Sequence, residues 1–275
     1  MALTLLACSV RGCERPLARF AHTYACDGGH SFDVARSGYL NLLQPQDRRS
    51  PAAGDLVDAL EARVRLVAAG VGRAVLDTVA DLASSPPATT LAVADLGCGA
   101  GDAIGALTGR PQVVGVGIDL SVAAVTLAAR RFPAATWVVA NADRRVPIGG
   151  ACLDVVLSVH GRRNAAECAR VLRTGGRLIV AVPGPEDLQE LRAMVQGRAD
   201  PRHRTEAVVA EHASAFALAA THQVRERHTL TGSHLEDLLR STYRSARHRA
   251  VPAEVLDAGL AVTLASEVLV FTRTP

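Results

Sequence analysis

The sequence contains no lysine, so all 30 of its basic residues are arginine. Together with abundant alanine, this indicates a GC-rich genome rather than a function. No apolar run reaches the ~18 residues that a membrane span needs, which argues against a membrane partner. The short apolar start precedes the first arginine, and this order differs from that of a secretory signal. We therefore expect a cytoplasmic protein.

Aromatic residues are also scarce, at 3% of the chain, but apolar residues as a whole make up 49%. That fraction is ample for a buried core, and 275 residues suit one catalytic domain with a small appendage. The net charge of +3 and the pI near 8.7 are mildly basic. They permit a polyanionic partner without requiring one.

The most informative segment is residues 91–107, LAVADLGCGAGDAIGAL. A short apolar stretch ends in Asp95, glycines follow at 97, 99 and 101, and a helix-like run begins at once. This order predicts a buried strand, a tight turn and a helix packed on the sheet. Glycines suit such a turn because a β-carbon would keep a ligand from the backbone.

A second predicted strand ends in Asp119, 24 residues beyond Asp95. A carboxylate at that point can accept both hydroxyl hydrogens of a ribose, so the two strands predict an adenosine-type cofactor. The spacing G-x-G-x-G differs from the dinucleotide pattern G-x-G-x-x-G, and an acidic residue beside the loop suits a cationic sulfonium and ammonium. These features favour S-adenosylmethionine, with a nicotinamide cofactor or a ligand-free turn as alternatives.

Three of the six cysteines, Cys98, Cys152 and Cys168, lie in predicted regular structure or the glycine loop, and we expect them to be inert. The other three lie near the N-terminus with a histidine, in the pattern Cys-x4-Cys, a twelve-residue gap, and Cys-x3-His. Two close pairs of this kind can place four ligands around zinc. The alternative is a flexible arm with free thiols. The expected metal ligands are Cys8, Cys13, Cys26 and His30.

The segment CDGGHSFDVARSGYLNLL, at residues 26–43, resembles the large-subunit (23S) ribosomal RNA guanine-N1 methyltransferases. That family includes housekeeping enzymes and macrolide-resistance enzymes. The resemblance extends through Ala62–Arg63, the glycine loop, Arg163–Asn164 and residues 183–185 to almost the whole chain. It implies a small N-terminal zinc-binding module on a doubly wound, class I (Rossmann-like) α/β methyltransferase sheet.

The resemblance also implies a 23S rRNA hairpin loop as substrate, a homodimer, and a role in housekeeping modification or macrolide-type resistance. The expected segments are a zinc-binding RNA-recognition module at 1–45, a linker with helices at 46–88, and an S-adenosylmethionine-dependent domain at 89–275. The residues expected to contact the cofactor are Asp95, Gly97, Cys98, Gly99, Ala100, Gly101, Asp119, Leu120, Asp143 and Ser158. Asp143 has the alternative of an exposed turn carboxylate.

The chain departs from the family at three places. In the loop Ser158–Arg163, relatives have an aromatic-Ala-Pro sequence where this chain has His160, Gly161 and Arg162. His160 is the candidate catalytic residue, as a stacking surface or a proton acceptor, or else a loop histidine without a task. Gly72 stands where relatives have tyrosine, and Asp187 where they have histidine, so two side chains are missing from the expected cofactor pocket.

Strand-like and helix-like segments alternate from residue 91 to residue 196, which predicts a parallel, doubly wound sheet. A long alanine-rich helix is expected to reach about Ala220, before two strands near the C-terminus with a helix at His234–Tyr243 between them. Arginine clusters can bind phosphates or lie on a solvated surface. They lie at Arg48–Arg49, Arg162–Arg163, Arg202–Arg204, Arg225–Arg227 and Arg240–Arg249, with Tyr243–Ala250 the best candidate.

Three functions follow. The first is methylation of a guanine N1 in 23S rRNA. The second, suggested by the altered loop at 158–163, is methylation of a small molecule such as a natural product. The third is a non-catalytic RNA-binding protein with a degraded cofactor pocket.

Overall fold

The structure is a computed structural model that describes residues 5–47, 56–85, 90–107, 113–197, 201, 203–242 and 253–274. Two sequence features, Arg48–Arg49 and Tyr243–Ala250, lie outside the described residues, as does Arg202. Within these ranges, no helix combines the length and the apolar character needed to cross a membrane.

Eleven strands lie in the described ranges. They are β1 (Ala18–Phe20), β2 (Thr23–Ala25), β3 (Ser31–Asp33), β4 (Tyr39–Asn41), β5 (Leu91–Leu96), β6 (Val113–Asp119), β7 (Thr136–Val139), β8 (Leu153–Val159), β9 (Leu172–Pro183), β10 (Phe216–Leu230) and β11 (Leu260–Arg273). The helices are α1 (Val57–Ala68), α2 (Arg73–Ala83), α3 (Asp102–Leu107), α4 (Val122–Arg131), α5 (Ala165–Val171), α6 (Gln189–Gln196), α7 (Thr205–His212), α8 (Gly232–Thr242) and α9 (Ala253–Ala258).

Eight of the strands form one sheet, in the order β10-β11-β9-β8-β5-β6-β7-β4. The strands from β4 to β9 run parallel, and β11 and β10 are antiparallel additions at one edge. Every residue of the central strand β5 is buried, as expected for a strand covered on both faces. The predicted doubly wound α/β fold is therefore confirmed.

Two apolar layers cover the faces of this sheet. Helices α2, α3 and α4 contribute to one layer, and α5, α7 and the first residues of the N-terminal module contribute to the other. A third cluster joins α1, α6 and α8 beside the carboxyl ends of the parallel strands. Gly72, with φ of 80°, ends the turn between α1 and α2, a backbone conformation that side chains disfavour.

The N-terminal module has its own small sheet, β1-β2-β3, but it is not separate from the main sheet. Strand β4 pairs in parallel with β7, with Tyr39 opposite Trp137. Leu6 forms a β-bridge to Ile148, and the Ala7 N–H donates to the Pro147 carbonyl at 3.0 Å. The segment boundaries at residues 45 and 88 stay predictions.

One secondary-structure prediction was wrong. The alanine-rich stretch is not helical up to Ala220, because α7 ends at His212 and β10 begins at Phe216. Residues 216–220 pair with the C-terminal strand, with Phe216 opposite Arg273 and Ala217 opposite Thr272. Long-range strand pairing thus overrides the helix propensity of alanine. The predicted helix at His234–Tyr243 corresponds to α8, within the described residues.

Candidate functional site

A cavity of about 850 Å³ opens at the carboxyl ends of the central strands. Its floor is the glycine turn after β5 with the end of β6, and its walls come from α1, α8, β10, β11 and the segment after β8. In an open parallel sheet, this edge is where ligands bind. The cavity includes eight of the ten residues expected to contact a cofactor, which are Asp95, Gly97, Cys98, Gly99, Ala100, Asp119, Leu120 and Asp143.

The other two expected contacts, Gly101 and Ser158, do not line the cavity. A β-carbon on Gly101 would lie 2.5 Å from the buried ring of Trp137, so this glycine lets the helix pack on the sheet. Ser158 is fully buried, and its hydroxyl has no hydrogen-bond partner among the described residues. Their assigned role in cofactor contact stays a prediction that the cavity lining does not support.

The turn after β5 is held close to the neighbouring strand and to the loop after β8. Gly97 and Cys98 both donate their N–H groups to the Ile118 carbonyl, at 2.8 and 3.0 Å. Gly97 has φ of 75°, and a β-carbon there would lie 3.2 Å from the Cα of Gly161. Gly161 is equally constrained, since its own β-carbon would lie 2.5 Å from the Leu96 carbonyl oxygen. The turn therefore presents bare backbone to the cavity.

Asp95 is the most unusual charged group of the site. The residue is 2% exposed, and its Oδ1 atom is buried without a hydrogen-bond partner in the described structure. Burial, with smaller contributions from the charges of Asp119 and Asp102, raises the pKa of this carboxyl to about 8. A buried acceptor at the edge of a cavity is suited to a cationic ligand, because a cation would satisfy it and favour its ionised form.

Asp119, at the end of β6, is fixed by two backbone donors. Gly99 N–H donates to Oδ2 at 3.0 Å, and Ser121 N–H donates to Oδ1 at 2.8 Å. Each carboxylate oxygen has about two acceptor sites, so both oxygens can also accept a hydroxyl hydrogen from a ligand. This arrangement fits the ribose contact that the sequence predicts.

Asp143 also lines the cavity, and it is joined to the loop after β8. Its N–H donates to the Asn141 side-chain oxygen at 3.1 Å, and its carboxylate accepts from Arg162 at 3.3 Å. The Asp143 side chain is 20% exposed, whereas that of Arg162 is 80% exposed. Asp143 is thus not an exposed turn carboxylate, although its contact with adenine stays a prediction.

His160 faces the cavity from the end of β8. It adopts a φ of 52°, and its Nε2 atom lies 3.0 Å from the Ser266 hydroxyl on β11. Desolvation, with smaller contributions from the charges of Arg63 and Arg204, lowers the pKa of this imidazole to about 4. The imidazole is therefore neutral near pH 7, but its low pKa makes it a weak base, and its flat ring can still stack on a ligand.

The other two family departures, Gly72 and Asp187, both lie in the cavity wall. The carboxylate of Asp187 accepts a hydrogen bond from the Ala265 N–H of β11 at 3.1 Å. An imidazole at this position would offer fewer acceptor atoms to that backbone. The Asp187 carboxylate therefore binds a backbone N–H of β11, and Gly72 leaves extra space where relatives have an aromatic ring.

Arg63 is a cavity residue that the sequence analysis did not assign to the site. It lies on α1 between Leu60 and Val67, and all three line the cavity because positions three and four apart share a helix face. The arginine appeared only as part of the Ala62–Arg63 resemblance. Its placement among apolar residues on one helix face is the signal that would have identified it.

The four predicted metal ligands come together in the N-terminal module, and their ligand atoms all lie within 4.8 Å of one another. Cys8 Sγ and Cys26 Sγ are 3.5 and 3.6 Å from His30 Nδ1, and Cys13 Sγ is 3.7 Å from Cys26 Sγ. Ligands around a tetrahedral zinc with ordinary bond lengths are separated by about 3.5–3.8 Å. The cluster therefore fits zinc, with His30 presenting its Nδ1 atom to the cysteines.

Three of the arginine clusters have a described member that pairs with a carboxylate. Arg163 pairs with Glu211, Arg225 with Glu186 and Arg240 with Glu236, at 2.9–3.2 Å. The side chains of Arg225 and Arg240 are 57% and 55% exposed, which favours a solvated surface over a phosphate site there, whereas that of Arg163 is only 10% exposed. The side chain of Arg162 is 80% exposed and lies at the cavity wall.

Comparison with protein families identifies both parts of the chain. The model described as "RlmA, N-terminal", a zinc ribbon, matches residues 7–51. The model described as "Methyltransferase domain" matches residues 93–176. The match to a methyltransferase domain implies S-adenosylmethionine as cofactor, and the ribbon match agrees with the four-ligand cluster.

The three relatives below are all named as 23S rRNA guanine-N1 methyltransferases. A protein of Micromonospora griseorubida, provisionally named a 23S rRNA (guanine-N1)-methyltransferase, is 37% identical over 68% of this chain and 68% of its own length. A Streptomyces fradiae protein named 23S rRNA (guanine(748)-N1)-methyltransferase is 34% identical over 65% of this chain and 64% of its own length. A Bacillus subtilis (strain 168) protein, YxjB, provisionally named a 23S rRNA (guanine-N1)-methyltransferase, is 34% identical over 74% of this chain and 72% of its own length.

Solved structures share the fold at low sequence identity. A provisionally assigned methyltransferase of Bacillus halodurans C-125 superposes with a TM-score of 0.51 at 17% identity, over 73% of this chain and 98% of its own. The YcgJ protein of Bacillus subtilis superposes with a TM-score of 0.50 at 16% identity, over 72% and 97%. These similarities support the class I methyltransferase fold.

Proposed function

Because this chain belongs to the family of 23S rRNA (guanine-N1) methyltransferases, we propose that it transfers a methyl group to N1 of a guanine in 23S rRNA. We further propose that the guanine lies in a hairpin loop, where an unpaired base can be turned out of its stack into a pocket. The proposed segments are an RNA-recognition module at 1–45, a connecting region at 46–88 and a catalytic domain at 89–275.

The cofactor proposal rests on the cavity residues. Asp119 would hold the ribose hydroxyls, and the buried Oδ1 of Asp95 would accept from the ammonium of the methionine moiety. When bound, S-adenosylmethionine supplies an electrophilic methyl group on a sulfonium. The bare backbone from Gly97 to Gly99 leaves room for the ligand, and α1 and α8 exclude bulk water from it.

The guanine must be oriented and must lose its N1 proton. His160 and Ser266 lie together in the cavity wall, and a neutral imidazole there can stack against a flat base or hydrogen bond to its edge. Since the pKa of His160 is lowered, its proposed task is orientation of the base, and the proton passes to water at the cavity mouth. This role replaces the aromatic stacking surface of the relatives.

One observation carries the RNA proposal: the module that holds the four-ligand cluster packs directly against the domain that contains the cavity. Segment Arg145–Gly149, which contacts the module, begins two residues after Asp143 of the cavity wall. Arg145 pairs with Glu14 at 2.7 Å, and the Gly149 N–H donates to the Leu5 carbonyl at 2.9 Å. A module held so rigidly can set the distance between a bound RNA stem and the reacting base.

The test is methylation of in vitro 23S rRNA transcripts, read by primer extension and by mass spectrometry of nucleosides. A reverse-transcriptase stop at one loop guanine, with 1-methylguanosine in the digest, is the expected result, because methylation at N1 blocks pairing. The matched control is Asp95→Asn, which should remove the stop. A methylated small molecule without RNA product would favour the natural-product function, and RNA binding without cofactor binding would favour a non-catalytic protein.

We also propose that the chain forms a homodimer and that it confers macrolide-type resistance. A homodimer should be visible by light scattering of the purified chain. Macrolide-type resistance should appear as reduced inhibition of cells that express the wild-type protein, compared with cells that express the Asp95→Asn variant. Neither outcome is required for methyl transfer itself.

A further inference from the structure

We propose that Arg63 binds the α-carboxylate of the cofactor's methionine moiety, so that the cavity selects a ligand whose amino-acid end carries both charges. This inference rests on the proposed function, since it concerns the same cavity. It adds a binding residue on α1, a helix outside the segment that matches the methyltransferase domain at residues 93–176.

Arg63 lies directly over the glycine turn. Its Nη1 atom is 3.9 Å from the point where a side chain on Gly99 would begin. The guanidinium is therefore within van der Waals reach of the first atom of any group that packs on the backbone of Gly99. Gly99 N–H is also the donor to Asp119, so Arg63 faces the part of the turn that positions the ribose contact.

Two opposite charges lie near this turn. Asp95, at its start, is buried with an unpartnered carboxylate oxygen, and Arg63 lines the cavity near Gly99. An ammonium group fits the first and a carboxylate fits the second, and the methionine end of S-adenosylmethionine carries both on one carbon. Arg63 also lies close enough to His160 that the charge of its guanidinium lowers the pKa of that imidazole.

The guanidinium is held in place by the neighbouring helix. Its Nη2 atom donates to the Ser241 carbonyl at 3.1 Å, near the C-terminal end of α8. The next arginine on the helix, Arg65, forms a bidentate ion pair with the buried Asp237 of α8, at 2.7 and 2.8 Å. A guanidinium has five N–H donors in a rigid fork, so Arg63 can hold the helix carbonyl and a ligand carboxylate together.

The experiment compares two ligands that differ only in the carboxylate. Calorimetry measures the binding of S-adenosylmethionine and of decarboxylated S-adenosylmethionine to the wild-type chain and to Arg63→Gln. We expect the wild type to prefer the carboxylate-bearing ligand by about 10- to 100-fold, as for one charge-assisted hydrogen-bonded pair. The variant should lose that preference while it binds the decarboxylated ligand as the wild type does.

Arg65→Gln is the matched control, because it breaks the pair between α1 and α8 but leaves the cavity cation in place. It should lower the melting temperature and keep the preference for the carboxylate. Equal binding of the two ligands by the wild type, or a preference that survives in Arg63→Gln, would overturn the assignment. If the wild type binds neither ligand at millimolar concentration, the proposed function itself fails.

Discussion

The raised pKa of Asp95 makes cofactor affinity depend on pH in a way that one substitution removes. With a pKa of about 8, the carboxyl is protonated in about nine-tenths of the ligand-free molecules at pH 7. An ammonium ligand binds best to the ionised form, so ionisation costs about 1.4 kcal/mol of the binding free energy at that pH. The ionised fraction rises about tenfold from pH 6 to pH 7, and the affinity should rise with it.

Calorimetry with S-adenosylhomocysteine, which keeps the ammonium but has no sulfonium, measures this effect without turnover. We expect the dissociation constant to fall about tenfold from pH 6 to pH 7. Titrations at pH 7 in two buffers of different ionisation heat should show release of about 0.9 proton per ligand bound, from the same pKa.

The control is Asp95→Asn, which keeps the size of the side chain but cannot ionise. It should bind more weakly at pH 8 and show neither the slope nor the proton release. 5′-Methylthioadenosine, which has no ammonium, should bind the wild type without the slope. An affinity for S-adenosylhomocysteine that is flat from pH 6 to pH 7 would refute the argument that burial keeps this carboxyl protonated.

Three further outcomes follow from the structure. Cys13→Ser should reduce the amount of bound zinc, measured by mass spectrometry of the purified chain, and should weaken RNA binding. Binding of S-adenosylhomocysteine should stay within about twofold of wild type, because the cluster lies outside the cofactor cavity. Unchanged metal content would contradict this prediction. Gly161→Ala should destabilise the chain by about 1–3 kcal/mol in urea unfolding, because its β-carbon meets the Leu96 carbonyl, whereas Gly149→Ala, with no contact under 3.8 Å, should be near neutral. Burial lowers the pKa of His212 below that of the unfolded chain, so its contribution is complete above about pH 6.5 and is lost as pH falls, by at most about 1.4 kcal/mol per pH unit. The stability difference between wild type and His212→Phe should therefore shift against the wild type from pH 7.5 to pH 5.5, and a constant difference would exclude this linkage.

Local patterns predicted the central part of the fold well. The strand that contains Asp95, the turn through Gly97 and Gly99, and the strand that ends at Asp119 lie where the sequence predicts them, because strand, turn and helix preferences agree there. The stretch from Phe216 to Ala220 did not follow its local preference. Its alanines favour a helix in isolation, but the partner strand β11 lies more than 40 residues further along the chain.

The site shows the same division. The spacing of Cys8, Cys13, Cys26 and His30 was enough to predict a metal cluster, since ligand chemistry restricts such patterns. The role of Asp187 was not readable, because its partner is a backbone N–H at Ala265 on a distant strand. Gly101 was expected at the cofactor, yet its neighbour is the ring of Trp137, which only the packed sheet brings near it.

By itself, then, the sequence determined the class of fold, the kind of cofactor and a Cys/His cluster suited to zinc, because each is encoded by residues close together in the chain. The tertiary structure alone decided which side chains close the cavity: Arg63 from α1, His160 beside Ser266, and the orphaned oxygen of Asp95. The physical reason is that burial and the field of neighbouring charges arise only when distant segments pack, and these set both the pKa of Asp95 and the position of Arg63.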